Sequence, residues 1–142
     1  MIFLAKVVEK CEMYVQNIQG NRKGEKMSLL TELEELGVDV KSAVNRLGGD
    51  EDIYQDILLG FLEDLEQYAV KEYLESGDCE KACRNAHALK GVAGNLGLTP
   101  IFKMYARMNA LLKEQNISEA AEIYEEGLEK QEAIVSCISR YL

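Results

Sequence analysis

A single proline in 142 residues, at position 100, leaves almost nothing in this chain to interrupt a helix. Tyr, Phe, Val and Ile nowhere keep up the alternation with polar residues that a half-buried strand requires. The apolar residues instead recur at the helical period of about 3.6, between glycine stops and capping residues. The chain is therefore expected to be all-α.

Residues 2–19 place Leu4, Val7, Val8, Cys11, Tyr14, Val15 and Ile18 on one stripe, which predicts an amphipathic helix. The basic, glycine-punctuated linker from Gly20 to Lys26 follows. Ser28 can cap a short helix through Leu36, and Asp39 a second from Val40 to Leu47. Asp50 starts a long helix that ends at Ser76-Gly77, with Ile53, Ile57, Leu58, Phe61, Leu62, Leu65, Ala69 and Leu74 on its buried side. Asp78 starts the next, with Ala82, Ala86, Leu89, Ala93 and Leu96 toward the core and Gly97 as its stop. Thr99-Pro100 opens a helix to about Gln115, and Ser118 can cap the last one. Four long helices with short turns predict an up-down-up-down antiparallel four-helix bundle. The short helices cap one end, and the N-terminal helix is an addition. Two regions result, residues 1–26 and the bundle over 27–142.

Composition fits one globular domain: 47% apolar, 29% charged. The net charge of −9 does not suit a nucleic-acid binder, which needs a basic face against phosphates. No apolar run reaches the length of a membrane span, about 18 residues, and the opening MIFLA is too short for a signal sequence. Four cysteines, at 11, 79, 83 and 137, sit within apolar patterns. Reduced thiols and a cytoplasmic setting are expected.

The pattern departs from packing at one place. His87, the sole histidine, lies one step off the core stripe of its helix, on a face shared with Cys83, Lys90, Gly91 and Gly94. A glycine inside a helix costs about 1 kcal/mol relative to alanine. Two beside the histidine mean either that another backbone or a ligand approaches there, or that neighbouring helices pack tightly. Between residues 79 and 107 stand Lys81, Arg84, Lys90, Lys103 and Arg107 against one acid, Glu80. A segment of charge +4 in a chain whose remainder is −13 favours an anion at that face. Lys90, at i+3, lies one turn from His87 on the same side, within reach of a phosphoryl group on the ring. Cys79, Cys83 and His87 also invite a metal reading. Positions eight apart on a helix are separated by about 12 Å, too far for one ion to hold all three.

AHALKGVAGNLGL (Ala86 to Leu98) resembles the signature of histidine phosphotransfer (HPt) domains, His-x-Leu-Lys-Gly followed by small residues and Leu-Gly. Upstream, GVDVKSAVNRLGGDEDIYQDILLGFLEDL (Gly37 to Leu65) resembles the family's lead-in. The resemblance covers roughly Ser28 to Leu142; residues 1–26 inherit nothing from it. It implies that His87 is phosphorylated by a receiver-domain aspartyl phosphate and passes the group to another receiver. It also implies that Lys90 neutralises phosphoryl oxygens and that Gly91 admits the partner's loops. Asn109, on the next helix, occupies the place where the family often has an amide or acid holding the ring, and Arg84 is an extra phosphate or docking contact. No intrinsic cofactor is implied; magnesium is expected with the receiver's carboxylates. The partners implied are response-regulator receivers and a hybrid sensor histidine kinase, with no nucleic acid and no membrane. The N-terminal helix could serve self-association. A helical adaptor without phosphotransfer is the rival reading.

Overall fold

The computed structural model describes residues 28–142, so the predicted helix over 2–19 and its linker lie outside the described residues. The described residues form helices α1 (Leu29–Glu35), α2 (Val40–Arg46), α3 (Glu51–Gln67), α4 (Lys71–Ser76), α5 (Cys79–Asn95), α6 (Thr99–Lys113) and α7 (Ile117–Tyr141). No strand occurs among them, and none of these helices is long and apolar enough to cross a membrane.

Local chemistry sets most of the boundaries. Asp39, Asp50 and Asp78 each accept a backbone N–H of the first turn of their helix, and Ser28 does the same for α1. Two predicted starts differ. α6 begins at Thr99 behind Leu98, without a side-chain cap, because the Thr99 hydroxyl turns back to the Gly97 carbonyl (3.3 Å). α7 begins before Ser118: the Asn116 carboxamide oxygen accepts the Glu119 N–H (3.3 Å) and caps it.

The larger difference is in the helix predicted to run from Asp50 to Ser76. It breaks at residues 68–70, where the Ala69 carbonyl accepts Asn85 Nδ2 of α5 at 2.8 Å and Val70 turns into the core. A tertiary bond there replaces the helical one, and propensity gives way to it. The buried stripe of α3 is Tyr54, Leu58, Phe61 and Leu65. Tyr54 wins the core position because its hydroxyl donates to the Leu96 carbonyl at 2.7 Å. Ile53 and Ile57, predicted on that side, are rotated out to 45% and 39% exposure.

α3 packs against α5 and α7, α5 against α6, and α6 against α7. The core fills from all four, with Ala82, Ala86, Leu89 and Ala93 of α5 buried as predicted. α1 closes onto α7 through a largely buried ion pair between Glu32 and Arg140.

The turn between α5 and α6 fixes how the capping helices sit. Gly97 is left-handed (φ 69°), and its carbonyl accepts the Asp39 N–H at 2.8 Å. A Cβ at Gly97 would lie 2.3 Å from the Asp39 carbonyl oxygen. Gly97→Ala is therefore expected to cost about 2–4 kcal/mol, combining left-handed strain with forced backbone movement. Urea unfolding followed by circular dichroism checks this.

Candidate functional site

α5 carries His87 on its exposed face, directly outside the buried Ala86 and Leu89. The helix is alanine-rich on its inner side, so it sits close to its neighbours and is held by specific polar bonds. Buried Asn109 of α6 donates Nδ2 to the Cys83 carbonyl at 3.1 Å and lies 3.4 Å from the Cys83 sulfur. That carbonyl is four residues before His87, in the ladder position of the turn that bears it. Asn109 thus grips the backbone under His87; among the described residues no hydrogen bond joins it to the imidazole. On the other flank, Asn85 holds the Ala69 carbonyl.

The cysteines serve the same interface. Cys79 Sγ donates to the Leu112 carbonyl (3.2 Å), and Cys83 Sγ lies 3.9 Å from the Asn109 carbonyl oxygen. Burial, then the neighbouring Cys83 and Asp78, push the Cys79 thiol upward, away from the thiolate a metal would need. Among the described residues no group of three or more His, Cys, Asp or Glu could hold a metal ion.

The two glycines beside His87 separate into different roles. A Cβ on Gly94 would meet the Phe102 ring of α6 at 3.2 Å, so Gly94 serves helix packing. A Cβ on Gly91 would meet nothing within 4 Å, and the residue is exposed. The fold makes no use of the missing side chain at Gly91.

A shallow groove of about 560 Å³ runs beside His87. Cys79, Arg84 and His87 of α5 line one side; Asn109, Leu112, Lys113 and the following Gln115 line the other. Arg84, exposed and loosely paired with Glu80 at 3.5 Å, thus shares the groove with His87 and Asn109. Half-buried Lys90 and exposed Gly91 stand on the same helix but outside this lining. Lys81, counted in the basic segment, turns away to Asp78 and the Tyr73 ring. Lys113 and Gln115 belong to no local motif. The α5–α6 register puts them on the lining of the groove that contains His87, and the one signal in the sequence is that α6 carries Lys103, Arg107 and Lys113 with no acid. α3 by contrast has six acids and no base, and α7 six acids against two bases. The α5–α6 half of the bundle is basic and the α3–α7 half acidic.

Because Asn109 is engaged with backbone, its loss acts first on the mounting of α5. Asn109→Ala is expected to lower stability by about 1–2 kcal/mol, read as a lower urea midpoint with an unchanged slope.

A family model described as Hpt domain matches residues 3–140, which includes most of the N-terminal segment beyond the motifs. No curated protein and no solved structure matches the chain. The all-helical bundle and the match over nearly its whole length agree: the chain belongs to the Hpt domain family, phosphocarriers of phosphorelay signalling that interact with receiver domains and histidine kinases and are not themselves kinases.

Proposed function

We propose that this chain accepts a phosphoryl group on His87 from a receiver-domain aspartyl phosphate and passes it to a second receiver. The observation that carries the reading is the pairing of an exposed His87, the sole histidine, with an exposed Gly91 whose missing side chain the fold does not need. In the transfer, the lone pair of an imidazole nitrogen forms the N–P bond while the P–O bond to the aspartyl carboxylate breaks. The carboxylate leaves as an anion, and no separate base is needed to expose the lone pair. The return step reverses this onto the acceptor's carboxylate. Such transfer asks mainly for positioning and charge neutralisation. Positioning comes from the clamped α5; neutralisation falls to Lys90, with Arg84 as a supporting cation.

Magnesium belongs with the receiver in this reading. The one acid lining the groove is Glu80, and it is turned to Arg84. Docking uses the open space over Gly91. Phe61 is fully buried in the core, and Leu62 and Tyr68 are half-buried. The partners are response-regulator receivers and a hybrid sensor histidine kinase, in the cytoplasm. The long helices α3, α5, α6 and α7 are read as an up-down-up-down antiparallel bundle. The Tyr54–Leu96 and Asn85–Ala69 bonds support this for α3 and α5, and the Cys83–Asn109 and Cys79–Leu112 contacts for α5 and α6. A role for residues 1–26 in self-association remains part of the proposal.

Incubation with a receiver carrying radiolabelled aspartyl phosphate tests the reading. Acid-labile, base-stable label is expected on the wild type and none on His87→Gln; label on neither favours the adaptor. Gly91→Gln separates docking from folding. It is expected to keep or raise Tm, since glycine is about 1 kcal/mol worse than a good helix former, while transfer falls at least about tenfold, a barrier of ~1.4 kcal/mol. Unchanged transfer in that variant would remove Gly91 from the docking surface.

A further inference from the structure

Left-handed backbone among the described residues occurs at Gly37, Gly48, Gly49, Gly77 and Gly97, and at one residue with a side chain, Gln115 (φ 63°). Gln115 follows the end of α6 in the position where helices usually place glycine. Its N–H donates to the Leu112 carbonyl (3.1 Å), and the Asn116 N–H to the Leu111 carbonyl (2.9 Å). Glycine would make both bonds without the strain that a Cβ brings to this conformation. The fold does not repay that strain, because the carboxamide of Gln115 forms no hydrogen bond with any described residue. It stands exposed on the lining of the groove that contains His87.

Register places Gln115 away from the ring. Cys79 Sγ meets the Leu112 carbonyl, so the last turn of α6 lies beside the first turn of α5. Cys79 is about 12 Å along the helix from His87, at ~1.5 Å per residue. Gln115 is therefore beyond contact with a phosphoryl group on His87. Between the two ends stand Arg84, loosely paired with Glu80, and, from α6, Lys113, which leaves the lining one positive charge in excess. A cationic groove leading off the phosphorylated residue is complementary to the acidic, metal-binding face of a receiver domain.

Resting on the phosphotransfer reading above, we propose that Gln115 is a specificity-determining contact for the receiver partner. The partner's acidic phosphorylation face covers the groove from His87 past Arg84 to Lys113. The Gln115 carboxamide, held at the far end by the left-handed turn, hydrogen-bonds the main chain of the docked partner. The residue touches partner and not phosphate, so it sets the apparent KM for the phosphorylated receiver and leaves the chemical step alone.

The experiment uses the full chain as wild type, Gln115→Gly and Gln115→Asn, with a radiolabelled phospho-receiver titrated over a range of concentrations. Gln115→Gly is expected to raise Tm by about 2–3 °C, since strain is relieved. Its apparent KM is expected to rise about fivefold, the scale of one hydrogen bond. Its saturating single-turnover rate, and the hydrolysis rate of the isolated phosphohistidine, should stay within about twofold of wild type on the same scale. Gln115→Asn keeps an amide that tolerates the left-handed region and should recover most of the KM. An unchanged KM in Gln115→Gly overturns the proposal while leaving the phosphocarrier reading intact. A wild type that takes no label defeats that reading and the proposal with it.

Discussion

Two amide-to-carbonyl bonds hold the helix on which everything else in this molecule turns. Asn109 reaches from α6 to the Cys83 carbonyl, and Asn85 reaches from α5 to the Ala69 carbonyl. They hold α5 at four and two residues before His87, one on each flank of the helix. A helix lined with alanine on its inner side has little side-chain interdigitation to fix its rotation about its own axis. Directional bonds supply that constraint, so the position of the imidazole depends on its own two torsions and little else. For the proposed transfer through His87, whose barrier responds to alignment more than to covalent assistance, such a mount is the relevant form of preorganisation.

The same bonds explain which parts of the fold could be read from the chain alone. Apolar periodicity marks the inner face of α5 correctly, since Ala82, Ala86, Leu89, Ala93 and Leu96 are all buried. It fails on α3, where Tyr54 and the two isoleucines are all acceptable core residues by hydropathy. The choice falls to Tyr54 because a carbonyl at Leu96 is waiting for its hydroxyl. The break at residues 68–70 is invisible for a related reason: no proline or glycine stands there, and the Asn85 amide that ends the helix is sixteen residues away.

The candidate site divides along the same line. His87, Lys90 and Gly91 lie within five residues of one helix, so a local motif exposes them. Arg84 and Asn109 are suggested by helical spacing and by the expected antiparallel neighbour, but the bond Asn109 makes to backbone needs the α5–α6 register. Lys113 and Gln115 need that register and also the unusual backbone of the turn after α6. Composition could not have singled them out among 16 basic residues and a chain rich in polar side chains.

The division of the bundle into a basic half, α5 with α6, and an acidic half, α3 with α7, makes the described residues an electric dipole whose positive pole coincides with the His87 face. A dipole in the field of an acidic partner experiences a torque as well as an attraction, so tumbling is biased before the surfaces touch. At physiological salt the field decays over about 8 Å, which confines the torque to the last molecular layer of the approach. Reorientation then takes place inside the encounter complex, where a protein of net charge −9 would otherwise be repelled by an acidic partner in most of its orientations. The layout lets an acidic protein present one attractive face without becoming a basic one.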